Sequence, residues 1–102
     1  MQNPFTESRI RFLRSKSFDE FYELKAKDFL TTEIEYLISE TPMRDEDKRM
    51  SVSFYIKCLT NQEVANVYNI SIERAKQKKR EIHDKLISTI IKMFFDYKNG
   101  ED

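Results

Sequence analysis

"TNQEVANVYNISIERAKQKKR", Thr60 to Arg80, packs two helix starts and the break between them into twenty-one residues. Thr60-Asn61-Gln62-Glu63 spells a capping box: the Thr hydroxyl accepts from the third helical amide and the Glu carboxylate reaches back to the cap amide. The short helix it opens carries Val64, Ala65, Val67 and Tyr68. Asn69 follows, a residue that tolerates left-handed backbone almost as well as glycine and so ends a helix. Ile70 is apolar, and Ser71 caps a second, longer helix. This order predicts a helix-turn-helix. Ala65 is the small residue where the second helix crosses closely, Val64 and Tyr68 face inward, Asn69 makes the turn and Ile70 plugs the corner.

At ~100° per residue, with Ala75 as the inward reference, Ile82, Leu86 and the stem of Lys79 fall on the inner side of the second helix. Glu73, Gln77 and Arg80 fall near the opposite face, with Arg74 and Lys76 flanking them. These five are the candidate base-contacting residues, because Arg can grip guanine bidentately, Gln can pair with adenine and Glu can accept from the cytosine amino group. Lys78, Lys79 and Lys85 suit phosphates, which position a protein without specifying sequence, and the helix start at Ser71 adds backbone donors for one more. On charge alone, "RAKQKKREIHDK" is better described as an ordinary solvated helix. The frame of caps, small residue and turn around it favours a DNA reader.

Working outward, Ser17-Phe18-Asp19-Glu20 is another capping box, opening a helix to about Leu30 with Phe18, Phe21, Tyr22, Leu24 and Phe29 mostly on one side. Thr32-Glu33-Ile34-Glu35 repeats the device ahead of Ile34, Leu37 and Ile38, either as a new helix or as a kinked continuation. Ser39 to Arg49 reads as a loop, since Pro42 disfavours helix at Thr41 and the acidic cluster has little to bury. Asp45-Glu46-Asp47 also suits the start of the next helix, where carboxylates favour the dipole, and that reading outweighs a metal site. A third helix is expected from Lys48 to Leu59, carrying Met50, Val52, Phe54, Tyr55, Cys58 and Leu59. "RIRFLR", Arg9 to Arg14, is a short helix or an arm.

Composition sets the class. With 102 residues, one glycine and two prolines, turn formers are scarce, and the expected fold is all-α: a small helical domain with a C-terminal helix-turn-helix and a long, apolar C-terminal helix. Residues 1–40 form an N-terminal helical segment packing on residues 41–102, together one compact domain. The formal charge is zero, yet residues 1–16 carry +3 (four cations against Glu7), residues 17–47 carry −7 (three against ten) and residues 48–100 carry +6 (eleven against five). That balance argues against nonspecific coating of polyanions and leaves room for a local basic face. Cys58 has no partner for a disulfide, and its apolar neighbours Tyr55, Ile56 and Leu59 predict a small buried side chain. No apolar run approaches the ~18 residues of a membrane span, and "MQNPFTESRIRFL" lacks the apolar core of a secretory signal, so a cytoplasmic protein is expected. Catalysis finds no support: there is one histidine, His83, amid charged neighbours, with no glycine-rich phosphate loop and no Cys/His ligand cluster. No cofactor and no metal are expected.

"LTNQEVANVYNISIERAKQKKREIHDKL", Leu59 to Leu86, resembles the promoter-reading region 4 of bacterial sigma factors and the small phage and mobile-element regulators related to it. Glu63-Val64-Ala65 and Ile70-Ser71 stand where that family has "EIA", a four-residue spacer and "IS" before its basic helix. The family departs from this chain at Ala75, where it usually has Val, and at Asn69, where it usually has Gly. Residues 1–40 hold no counterpart of a promoter-melting region. The resemblance therefore implies a compact transcriptional regulator that reads double-stranded DNA, with RNA polymerase or a sigma factor as a further partner class. The rival reading is a module that grips polymerase or a sigma factor without reading DNA.

After Leu86 the chain continues with Ile87, Ile90, Ile91, Met93, Phe94, Phe95 and Tyr97, more apolar surface than one exposed helix face carries. Two readings stand: the tail folds back onto Phe18, Phe21, Leu24 and Phe29, or Leu86, Ile90, Met93, Phe94 and Tyr97 form a homodimer seam that sets two recognition helices on an inverted repeat.

Overall fold

The computed structural model describes residues 2–96, and Tyr97 of the expected tail lies outside them. The described residues form six α-helices and one 3-10 turn, with no strand among them. In chain order these are α1 (Glu7–Arg14), α2 (Phe18–Phe21), the 3-10 turn Ala26–Asp28, α3 (Thr31–Glu40), α4 (Asp45–Tyr55), α5 (Asn61–Tyr68) and α6 (Ile72–Phe94). Among the described residues no helix is long and apolar enough to cross a membrane.

The 23-residue α6 spans about 34 Å at 1.5 Å per residue and packs against α1, α2, α3, α4 and α5. Its two halves are buried differently. In the first half Ala75 and Ile82 are sealed, continuing to Leu86, a stripe about 40° wide. In the second half Leu86, Ile87, Thr89, Ile90, Ile91 and Phe94 are all buried, an arc of about 200°. The N-terminal segment supplies the extra cover. Phe5 packs on Phe94 with ring centroids 4.8 Å apart, and Phe18 and Phe21 meet Phe95 edge-on at 5.6 and 6.1 Å. Leu86, Ile90 and Phe94 are thus covered within one chain and Met93 is half-buried, which is the folded-back arrangement. One core runs from Phe5 to Phe94 and draws on both parts of the chain.

Polar pins fix the layers. Arg9 donates from Nε to Glu33 Oε2 (3.0 Å) and from Nη2 to Glu33 Oε1 (3.1 Å) and the Asp28 carbonyl (2.9 Å), tying α1 to α3. Glu33 is fully buried and also accepts the Leu30 N–H at 2.8 Å. The buried hydroxyls of Thr41 and Thr89, 2.8 Å apart, link the end of α3 to α6.

Several expected boundaries move. The helix opened by Ser17 has its capping box but stops at Phe21 rather than near Leu30. The Asp28 carboxylate takes the Lys25 N–H at 2.8 Å and starts a separate 3-10 turn, and this break turns Phe21 and Leu24 into the core while Phe18 and Tyr22 stay exposed. The next helix is new, not a continuation, and its cap lies two residues earlier: Leu30 is the cap residue and Glu33 the reaching carboxylate, so Thr32 caps nothing. The expected loop from Ser39 to Arg49 shrinks to residues 41–44, because Asp45, Glu46 and Asp47 occupy the first turn of α4. No metal-holding cluster of acidic, His or Cys groups occurs among the described residues. The third helix ends at Tyr55 rather than Leu59. The Leu59 N–H turns back to the Ser53 carbonyl at 2.9 Å, which places Cys58 at φ 56° and exposes its side chain rather than burying it.

Breaking a buried ion pair from one side strands the other charge, a loss of about 3–5 kcal/mol when both groups are dry. Arg9 keeps 28% side-chain exposure against 0% for Glu33. We therefore expect Arg9→Ala to lower the urea-unfolding free energy by about 2–4 kcal/mol. A change under ~0.5 kcal/mol, the level of an unremarkable surface substitution, would show that the pair does not hold α1 in place.

Candidate nucleic-acid interface

The helix-turn-helix is formed by α5, the turn at Asn69–Ser71 and the first half of α6. Its local chemistry follows the sequence closely. Thr60 Oγ1 accepts the Glu63 N–H at 3.1 Å, and Glu63 Oε1 accepts the Thr60 N–H at 3.0 Å. The Thr60 backbone amide, then its hydroxyl, hold the Glu63 carboxyl below the usual carboxylate range. Asn69 sits at φ 54°, ψ 49°, squarely left-handed, and the N–H groups of Asn69 and Ile70 both turn back to the Ala65 carbonyl. Ser71 Oγ accepts the Arg74 N–H at 3.0 Å, opening α6. Val64, Ala65 and Ala75 are buried where the two helices cross, and Tyr68 and Ile70 are half-buried beside them.

This crossing sets which side of α6 looks outward. Glu73, Arg74, Lys76, Gln77 and Arg80 are all exposed. Arg74, Gln77 and Glu81 are linked along the surface: Arg74 Nη1 donates to Gln77 Oε1 at 3.0 Å, and Gln77 Nε2 donates to Glu81 Oε1 at 3.3 Å. Glu81 is the member of this surface chain that the sequence reading did not single out, although its i+4 spacing from Gln77 marks it as a neighbour.

The candidate phosphate contacts divide. Ser71 and its helix start are exposed. Lys78 and Lys85 lean toward α4, where the nearly buried Asp47 receives Lys78 Nζ at 3.1 Å and lies 3.9 Å from Lys85 Nζ. Lys79, on the other flank of α6, also meets α4, nearer its C-terminal end, with its ammonium 5.4 Å from the Phe54 ring centroid. A lysine held on a carboxylate presents less free charge than the sequence alone suggests. Asp47 could not be found by spacing, since 31 residues separate it from Lys78.

On the Lys79 side, the flank of α6 and the C-terminal end of α4 wall an open groove of about 620 Å³. Half-buried His83 lies in it, and so does Tyr55, whose phenol is pushed up to about 12 by burial and then by the Asp84 charge. Compared with protein-family models, with curated proteins and with solved structures, the chain matches none.

Two outcomes follow from this geometry. A Cβ-bearing residue without a polar side chain pays for left-handed backbone, so Asn69→Ala should lower stability by about 1 kcal/mol in urea unfolding, while Asn69→Gly should be neutral or stabilising. Equal losses for both would mean that backbone conformation is not what Asn69 supplies. The raised Tyr55 pKa favours the folded state while the phenol is neutral, so that stability is complete below the ordinary 10.0 and disappears as pH rises through about 12. Ultraviolet titration should show a tyrosine step near 12 that Tyr55→Phe removes.

Proposed function

We propose that this chain is a sequence-specific DNA-binding transcriptional regulator that lays the first half of α6 in the major groove. The observation that carries the reading is the capped crossing of α5 and α6 through the left-handed backbone of Asn69, which leaves Glu73, Gln77 and Arg80 exposed and Ala75 and Ile82 in the core. Two helices so joined leave one polar face of the second uncovered by the first, as groove insertion requires. Arg74, Lys76 and Arg80 supply donors for guanine, Gln77 both a donor and an acceptor for adenine, and Glu73 an acceptor for cytosine.

The covered tail supports binding as a monomer to one short site, since an inverted repeat would need a seam other than Leu86, Ile90 and Phe94. The resemblance to sigma region 4 and to small phage and mobile-element regulators fits a cytoplasmic role beside RNA polymerase. A second reading, docking on polymerase or a sigma factor without DNA contact, draws support from the exposed rings of Phe12, Phe18 and Tyr22 on the N-terminal segment.

Selection from random duplexes at low salt, with the mass of the complex measured, separates these readings. DNA reading predicts an enriched motif and one chain per site. Gln77→Ala and Arg80→Ala should each lose about 1–3 kcal/mol of discrimination at one position of that motif. Recovery of polymerase from lysate with no motif enriched would favour the second reading.

A further inference from the structure

An α-helix with its side chains is about as wide as the major groove, so a helix lying there has a phosphate-bearing strand along each of its two flanks. The flanks of α6 are unequal. On one, Lys78 and Lys85 are already engaged by Asp47. On the other, Lys76, Lys79 and Arg80 border the 620 Å³ groove, and Lys25, at the start of the 3-10 turn, lines it with them.

Lys25, Lys76 and Arg80 are exposed and make no ion pair among the described residues, and Lys79 is held over Phe54 without a carboxylate. Four basic side chains thus line the groove against one carboxylate, Asp84. The wall carries neutral polar groups as well. Asn61 is one of them, although its Oδ1 is itself buried, with no hydrogen-bond partner among the described residues. Tyr55 adds a hydroxyl that stays protonated at neutral pH.

We propose that this groove binds the phosphodiester backbone of duplex DNA on one flank of α6, with Lys25 reaching it from outside the helix-turn-helix. The inference rests on the DNA-reading function proposed above and assigns a role to a residue of the N-terminal segment. Lys25 and the α6 cations converge on one strand, while the opposite flank contributes less because its lysines must first leave Asp47. Contacts of this kind add affinity for any sequence and none of the discrimination.

The test compares the wild-type chain with Lys25→Ala and Lys27→Ala on its selected duplex across a salt series. Lys27 is exposed on the same 3-10 turn but does not line the groove. Lys25→Ala should weaken binding about three- to tenfold at 0.1 M salt and make the slope of log affinity against log salt shallower by about 0.9, the value of one phosphate contact. The selected motif and the melting temperature should stay as in the wild type, and Lys27→Ala should change nothing. If the wild type binds with a defined motif and Lys25→Ala leaves both affinity and slope intact, the groove assignment is overturned while DNA reading stands. Equal loss for both variants overturns it too, since that is the general effect of removing charge. If the wild type shifts no duplex, the DNA reading falls and the groove assignment falls with it.

Discussion

Leu86, Ile87, Thr89, Ile90, Ile91 and Phe94 are all buried on the second half of α6, and no single neighbouring helix can cover their arc of about 200°. At ~25 cal/mol per Å² of apolar surface, leaving that much side chain in water would cancel much of a small domain's stability. The N-terminal segment meets this constraint: Phe5, Leu13, Phe21 and Leu24 are carried to the far half of α6, where α5 does not reach. The first half of α6 needs only Ala75, Ile82 and Leu86 covered, so its remaining circumference is left to polar groups. One helix therefore serves as the centre of the core at one end and as an outward polar face at the other.

What could be read from the sequence is what is decided within four residues. The caps at Ser17, Thr60 and Ser71 form because hydroxyl, carboxylate and amide belong to one turn of chain, and Asn69 adopts its left-handed backbone for an equally local reason. The outer face of α6 follows from Ala75 by counting. Where two local solutions compete, the outcome depends on distant packing. Thr32 was the expected start of α3, but the helix is capped at Leu30, where Glu33 takes the cap N–H and also receives Arg9 from 24 residues away. Cys58 looked apolar by its neighbours, but the reversal from Leu59 to Ser53 turns it outward. The clasp of Asp47 on Lys78 and Lys85 spans 31 residues and more, beyond any spacing rule.

The segregated charges of the sequence act as joints between segments. The basic start of the chain meets the acidic middle at Arg9 and Glu33, and the acidic middle meets the basic end at Asp47 and Lys78. Each joint removes a cation from the surface inventory. A count of lysines along α6 therefore overstates the charge available to a partner, and it overstates it on one flank only. The asymmetry arises in α4, whose acidic first turn both caps its own dipole and neutralises the lysines beside it.

The outer face has one further property that bears on the proposed reading of DNA. Gln77, the side chain best suited to adenine, is held between Arg74 and Glu81 by two exposed hydrogen bonds. Bonds of this kind contribute little net free energy, because water replaces either partner readily. They nevertheless bias the Gln77 amide toward one orientation. Exchanging them for a base edge costs less than ordering a free side chain, since part of the rotamer entropy is already spent. The same exchange releases Arg74 from Gln77, so the two residues become available together. If α6 reads DNA as proposed, a substitution at Glu81 alters base preference through Gln77 without touching DNA, an effect that adding up independent contacts along the helix would miss.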